Sequence, residues 1–187
     1  MHRVCLFYVL GGIVLKDIRK LTLAAMFLAI GQVLPFITGQ IPQIGAMLLP
    51  MHFPIFFCAF FCGPQYAALI GFICPLLRGV LFGMPVLFPN GTAMAFELMT
   101  YGFVTGMVYA RFKEKTLAAV LISLVSGMLA GRAVWGIAEI ILLGIRGTGF
   151  TLPMFLAGAF VNAMPGIIAQ LILIPLIVRA FSGKRVS

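Results

Sequence analysis

Apolar residues run along this chain in long blocks, and the blocks are separated by short clusters of Gly, Pro, Asn and basic residues. A helix needs about 20 predominantly apolar residues to cross a ~30 Å hydrocarbon core. Six blocks reach or approach that length: 21–38, 44–61, 66–82, 92–109, 117–143 and 152–180. The ten-residue alternating segments of an outer-membrane barrel are absent, so the pattern predicts an all-α integral membrane protein with six transmembrane helices. The last two blocks exceed the minimum and are expected to be tilted, broken or extended beyond the bilayer. "NAMPG", at 162–166, is the expected break in the sixth.

Composition agrees with the pattern. Of 187 residues, 63% are hydrophobic and 9% charged, with a mean hydropathy of +1.17, which leaves too little polar surface to cover a soluble globule. One domain is expected, over 20–187, with 1–19 as an N-terminal cytoplasmic or peripheral extension. The run "MHRVCLFYVLGGIVL" at its start is too short for a span, and it resembles a weak signal-peptide core without a small-residue cleavage site. Basic residues then set the orientation, because Lys and Arg in short loops stay cytoplasmic. Arg3, Lys16, Arg19 and Lys20 precede the first span, Arg111, Lys113 and Lys115 join the fourth to the fifth, and Arg179, Lys184 and Arg185 close the sixth. With six spans these clusters share one side, so both termini are predicted to be cytoplasmic. The opposite loops, "GQIPQ", "GMPVLFPNG" and "GIRGTG", hold only Arg146. The net charge of +9 therefore reflects topology, and no basic groove interleaved with aromatics suggests nucleic acid.

Four charges fall within the spans: Arg78, Glu97, Arg132 and Glu139. A charge at membrane depth costs at least ~2.5 kcal/mol on insertion scales, so such residues pair or line a polar cavity. These charges are predicted to concentrate in the outer half, with Arg132 deepest, near the midplane at roughly 16 Å below the outer end of its span. Arg132, Trp135 and Glu139 recur at i, i+3 and i+7 and share one helix face. Asn162 joins them as a pocket candidate, whereas Gln170 lies toward the cytoplasm and is expected to bond a neighbouring helix. Together these side chains suit a small polar organic solute. Two purely structural alternatives stay open: Arg78 pairing with Glu97 and Arg132 with Glu139 to hold helices together, or Arg78 snorkelling to the interface.

Other chemistry is weak. Cys58 and Cys62 stand at i and i+4 without further ligands, so they read as buried thiols, and no metal or cofactor is expected. His52 lies between two prolines and reads as part of a kinked helix. No phosphate loop, G-x-S-x-G elbow or H-E-x-x-H pair is present, so enzymatic activity is not expected. Small-residue pairs at four-residue spacing, Ala25 with Ala29, Gly102 with Gly106 and Gly127 with Gly131, allow close helix packing.

Residues 48–106, and above all "CGPQYAALIGF" and "AMAFELMTYG", resemble the substrate-binding S components of energy-coupling factor (ECF) vitamin transporters. The group resembled includes pantothenate, pyridoxine and thiamin-precursor carriers. The likeness extends over 20–180 and includes the Ala-x-x-x-Ala pair that follows a basic cluster. It implies a vitamin pocket near the external face, closed by the outer loops. It also implies a protein that topples in the membrane with a scaffold membrane subunit and two cytosolic ATPases as partners. Ala25 and Ala29 would be the docking surface for the scaffold. Pantothenate, slightly favoured, would use Arg78 or Arg132 for its carboxylate and Asn90 or Asn162 for its other polar groups. A pyridine or pyrimidine would instead use Glu97, Glu139 and stacking on Trp135 or Tyr101. The buried charges alone leave these open. A self-sufficient transporter or channel, and a structural assembly protein, are the competing classes.

Overall fold

The computed structural model describes residues 18–37 and 41–182, and these residues are helical throughout apart from turns and short connections. Helix α1 spans Ile18–Ile37, α2 Pro42–Leu48, α3 His52–Phe61, α4 Pro64–Phe82, α5 Thr92–Arg111, α6 Leu117–Ile145, α7 Leu152–Leu156 and α8 Met164–Ser182. Single wide turns at Leu87–Gly91 and Ala157–Val161 lead into α5 and toward α8. The run before Lys16 lies outside the described residues.

Local chemistry explains the boundaries. Gly63, at φ 98, makes a turn that an L side chain resists, and Pro64 then opens α4 where its missing N–H costs nothing. Thr116 caps α6 by accepting a hydrogen bond from the Ala119 N–H at 3.2 Å. The block expected as one helix over 44–61 is divided. Leu49 turns left-handed at φ 51 between α2 and α3, because Pro50 cannot continue the helical ladder. The break expected at 162–166 begins earlier, in the wide turn at Ala157–Val161, and ends as α8 starts at Met164.

Among the described residues, four helical segments are long and apolar enough to cross a membrane: Ile18–Ile37, Pro64–Phe82, Leu117–Ile145 and the stretch Leu152–Phe181. The 20-residue α5 has the length but carries Glu97 and Arg111. It is the centre of the molecule, packed on α3, α4 and α6. Glycines let it approach: a Cβ at Gly71 of α4 would stand 2.4 Å from the Leu98 carbonyl oxygen, and one at Gly131 of α6 would enter the Tyr101 ring. Neighbouring helices run antiparallel. Pro64 meets Gly106 and Gly71 meets Leu98, while Thr105 meets Gly127 and Tyr101 meets Gly131. Helix α1 instead runs parallel to α4, with Gln32 at Cys74 and Phe36 against Phe82.

The two ends of the bundle consequently differ. One holds the ends of α1 and α4 and the starts of α3 and α5. The other holds Arg111, Lys113 and Lys115, with the Lys115 ammonium 2.7 Å from the Tyr109 carbonyl, where it closes the end of α5. Between them lie two packed clusters, one around Ile55, Cys58, Cys74 and Leu98, the other around Phe56, Tyr101, Leu124 and Ile174. Cys58, Cys62 and Cys74 are free and buried.

Candidate functional site

A cavity of about 320 Å³ opens at the neutral end of the bundle. Pro35 of α1, the turn from Leu49 to His52, Arg78 of α4, the connection at Met84 to Val86, Asn90, and Met94 of α5 enclose it. Local structure makes the space: the break at Leu49 withdraws α2 from the α3 axis, and Gly83, at φ 72, turns the chain out of α4. A volume near 300 Å³ suits a small organic molecule. The walls are mostly Met, Pro, Ile, Leu and Val, with Arg78, His52 and Asn90 as the polar groups.

Arg78 is only 2% exposed. Its guanidinium donates to the Gln32 carbonyl and lies 5.0 Å from the Phe36 ring centroid and 5.1 Å from that of Phe82. Gln32 is held in turn, its side-chain amide donating to the Cys74 carbonyl at 3.0 Å. Among the described residues no carboxylate pairs with Arg78. The ring faces and the carbonyl orient its charge without neutralising it.

Arg132 is differently placed. Its Nη1 lies 2.8 Å from Glu97 Oε1, and the Tyr101 hydroxyl donates to the same oxygen at 2.9 Å. Neither pairing considered from the sequence is therefore formed, because Glu97 takes Arg132 and Arg78 stays apart. Glu139 is buried but makes no ion pair with Arg132 among the described residues. The Glu97 pair is deeply buried. Glu97 is 2% exposed, and Arg132 Nε and Nη2 have no hydrogen-bond partner among the described residues.

The structure thus brings Arg78 and Asn90 to one cavity and gathers Glu97, Tyr101 and Arg132 in a cluster beside it. Tyr101 stacks on Phe56 at 5.2 Å between ring centroids and is closed off by Gly131, so neither ring face is open. Trp135 packs against Phe150 and Phe155, away from that cavity. A second, apolar hollow of about 290 Å³ lies near it, between Gly136, Ile140 and Phe155. Asn162 is exposed and lines neither hollow, whereas Gln170 is buried.

His52 was not a site candidate in the sequence, yet it lines the cavity and its Nε2 stands 4.0 Å from Glu97 Oε2. The signal that could have found it is its place directly after "LLPM", where a proline breaks the helix and leaves a polar side chain at the break. Ala25 and Ala29 are exposed on α1, while Ala24, Gly31 and Gln32 face inward. The Ala pair therefore lies on an outward, unpacked face.

No curated protein and no solved structure matches the chain. The sequence model of the ECF transporter, substrate-specific component, matches residues 19–178. A match of that extent, on a bundle of apolar helices, shows that the chain belongs to the family of ECF transporter substrate-specific components, the substrate-binding subunits of transporters, and is not an enzyme.

Proposed function

We propose that this S component captures a small water-soluble anion, a vitamin or vitamin precursor with pantothenate as the first choice, in the cavity beside Arg78. The observation that carries the reading is the contrast between the two buried arginines. Arg132 already has a carboxylate at 2.8 Å, while Arg78 lines the cavity with, among the described residues, a carbonyl and two rings as partners. A ligand carboxylate is the natural complement of such a guanidinium. The walls favour an aliphatic body over a planar heterocycle, because Tyr101 and Trp135 are packed elsewhere and methionine and proline line the space. Asn90, at the mouth, supplies amide contacts.

The remaining features fit delivery inward. Six crossings with both termini cytoplasmic would suit the antiparallel order of α4, α5 and α6 and the basic residues at one end. The broken pair α2 and α3 serves as the second crossing, and the cavity then faces outside. Ala25 and Ala29 offer the flat surface on which a scaffold membrane subunit, with two cytosolic ATPases, would dock.

A thermal-shift screen of the detergent-purified protein against water-soluble vitamins and precursors tests the substrate. A ligand that binds only the folded state raises stability by RT ln(1 + [L]/Kd). Pantothenate is expected to give the largest shift. A larger shift with a pyridine or a thiamin precursor would refute the anionic reading.

A further inference from the structure

Helix α1 buries Ala24, Gly31, Gln32 and Pro35, and its inner face near Gln32 lies against α4. Gly31 permits the approach, since a Cβ there would stand 2.7 Å from Cys74 Sγ. Pro35 has no N–H to offer the Gly31 carbonyl, so the helical ladder is interrupted beside Gln32. The next carbonyl along, that of Gln32, accepts from Arg78 Nη1. The side chain of Gln32 meets α4 as well: its Nε2 lies 3.0 Å from the Cys74 carbonyl oxygen and 3.3 Å from Cys74 Sγ. Phe36, one turn further along the same face, sets its ring centroid 5.0 Å from the guanidinium carbon. One atom of this contact is unsatisfied. Gln32 Oε1 is buried without a hydrogen-bond partner among the described residues. A half-satisfied amide is a poor stabiliser, because the bond it gains is offset by the acceptor it leaves unpaired. The Cys74 carbonyl does not depend on that amide either, since it stands four residues before the Arg78 N–H in α4. Stability alone therefore does not account for a buried glutamine here, whereas its contacts fix where Arg78 sits.

Resting on the reading that Arg78 holds the substrate carboxylate, the geometry points to Gln32 as the positioning residue for that contact. Its side-chain amide sets the register of α1 on α4, and its backbone carbonyl then aims the guanidinium at the cavity. A planar fork pairs well with a carboxylate only when it is aligned, so a small displacement of the carbonyl weakens the pair. The effect is selective. A ligand group that meets Arg78 feels the displacement, while an aliphatic body against Met84, Pro85 and Met94 does not.

Titration calorimetry on the full-length protein tests the role, with pantothenate and with the alcohol in which its carboxylate is reduced. Gln32→Met removes the amide at nearly constant volume, and Gln32→Leu serves as a second variant should the first fail to fold. The preference for acid over alcohol is expected to fall by about threefold or more, through weaker binding of the acid alone. Binding of the alcohol should stay within about twofold and the melting temperature should change little. A variant that weakens both ligands equally, with a lowered melting temperature, would make Gln32 a packing residue and overturn the assignment. An unchanged preference overturns it too. If the wild-type protein does not bind pantothenate, or binds acid and alcohol equally, the substrate reading itself has failed and the role of Gln32 falls with it. If the wild-type preference is present and survives in the variants, only the role of Gln32 is lost.

Discussion

Arg132 donates to a carboxylate oxygen at 2.8 Å, and Arg78 donates to a backbone carbonyl between two aromatic rings. The first arrangement neutralises a charge, and the second leaves one without a carboxylate among the described residues. Truncating each residue should therefore damage different properties. Arg78→Ala is expected to weaken pantothenate binding by roughly ten- to a hundredfold in calorimetry, the loss of a charge-assisted contact, with little change in melting temperature. Arg78→Lys keeps the charge without the planar fork and should fall between. Glu97→Gln leaves the Arg132 guanidinium buried without its counter-charge and should destabilise the protein by about 3 kcal/mol or more. Joining it with Arg132→Met should recover much of that loss in the melting temperature. An additive effect would mean the two groups are not coupled. At this scale the sequence showed which residues were unusual and could not show who met whom. Four charges in apolar helices stand out in any reading, but the choice between Arg78 and Arg132 as the partner of Glu97 depends on rotations of α4, α5 and α6 about their own axes.

Element boundaries were more legible. The blocks at 21–38, 66–82, 92–109 and 117–143 correspond to α1, α4, α5 and α6 with small shifts at their ends, because unbroken apolar runs leave helices as the only backbone state that satisfies its own hydrogen bonds in lipid. The block at 44–61 reads as one helix by hydropathy although it contains Pro50 and Pro54. Hydropathy counts apolar residues and is blind to the missing N–H, and that break is what places His52 and opens the cavity. Small-residue spacing was informative at Gly127 and Gly131, whose positions meet Thr105 and Tyr101 of α5. Gly131→Val would drive a side chain into the Tyr101 ring and disturb the Glu97 cluster behind it. A lowered melting temperature together with weakened pantothenate binding is expected. An unchanged melting temperature would show that α5 and α6 can separate without cost.

For the whole molecule, the chain is an S component. The cavity sits at one end of the bundle, and the exposed alanine face of α1 runs along its side. Ala25→Trp with Ala29→Trp should abolish recovery of a co-expressed scaffold subunit and its ATPases on affinity purification, while pantothenate binding by the isolated variant stays unchanged. Undiminished recovery would move the docking surface elsewhere. Family membership was legible in the order and spacing of motifs over 20–180, in agreement with the match over residues 19–178. The resemblance implies a pocket at the end of the neutral outer loops, where Arg78 and Asn90 line the cavity; that His52 joins them was not legible, since the three come from separate elements that only packing brings together. The central claim is that Arg78 holds a ligand carboxylate. It is tested most directly by comparing, in titration calorimetry with the wild-type protein, pantothenate and the alcohol in which its carboxylate is reduced. The account predicts that the alcohol binds about tenfold or more weakly and that the gap closes in Arg78→Ala. Equal binding of acid and alcohol to the wild-type protein would contradict it.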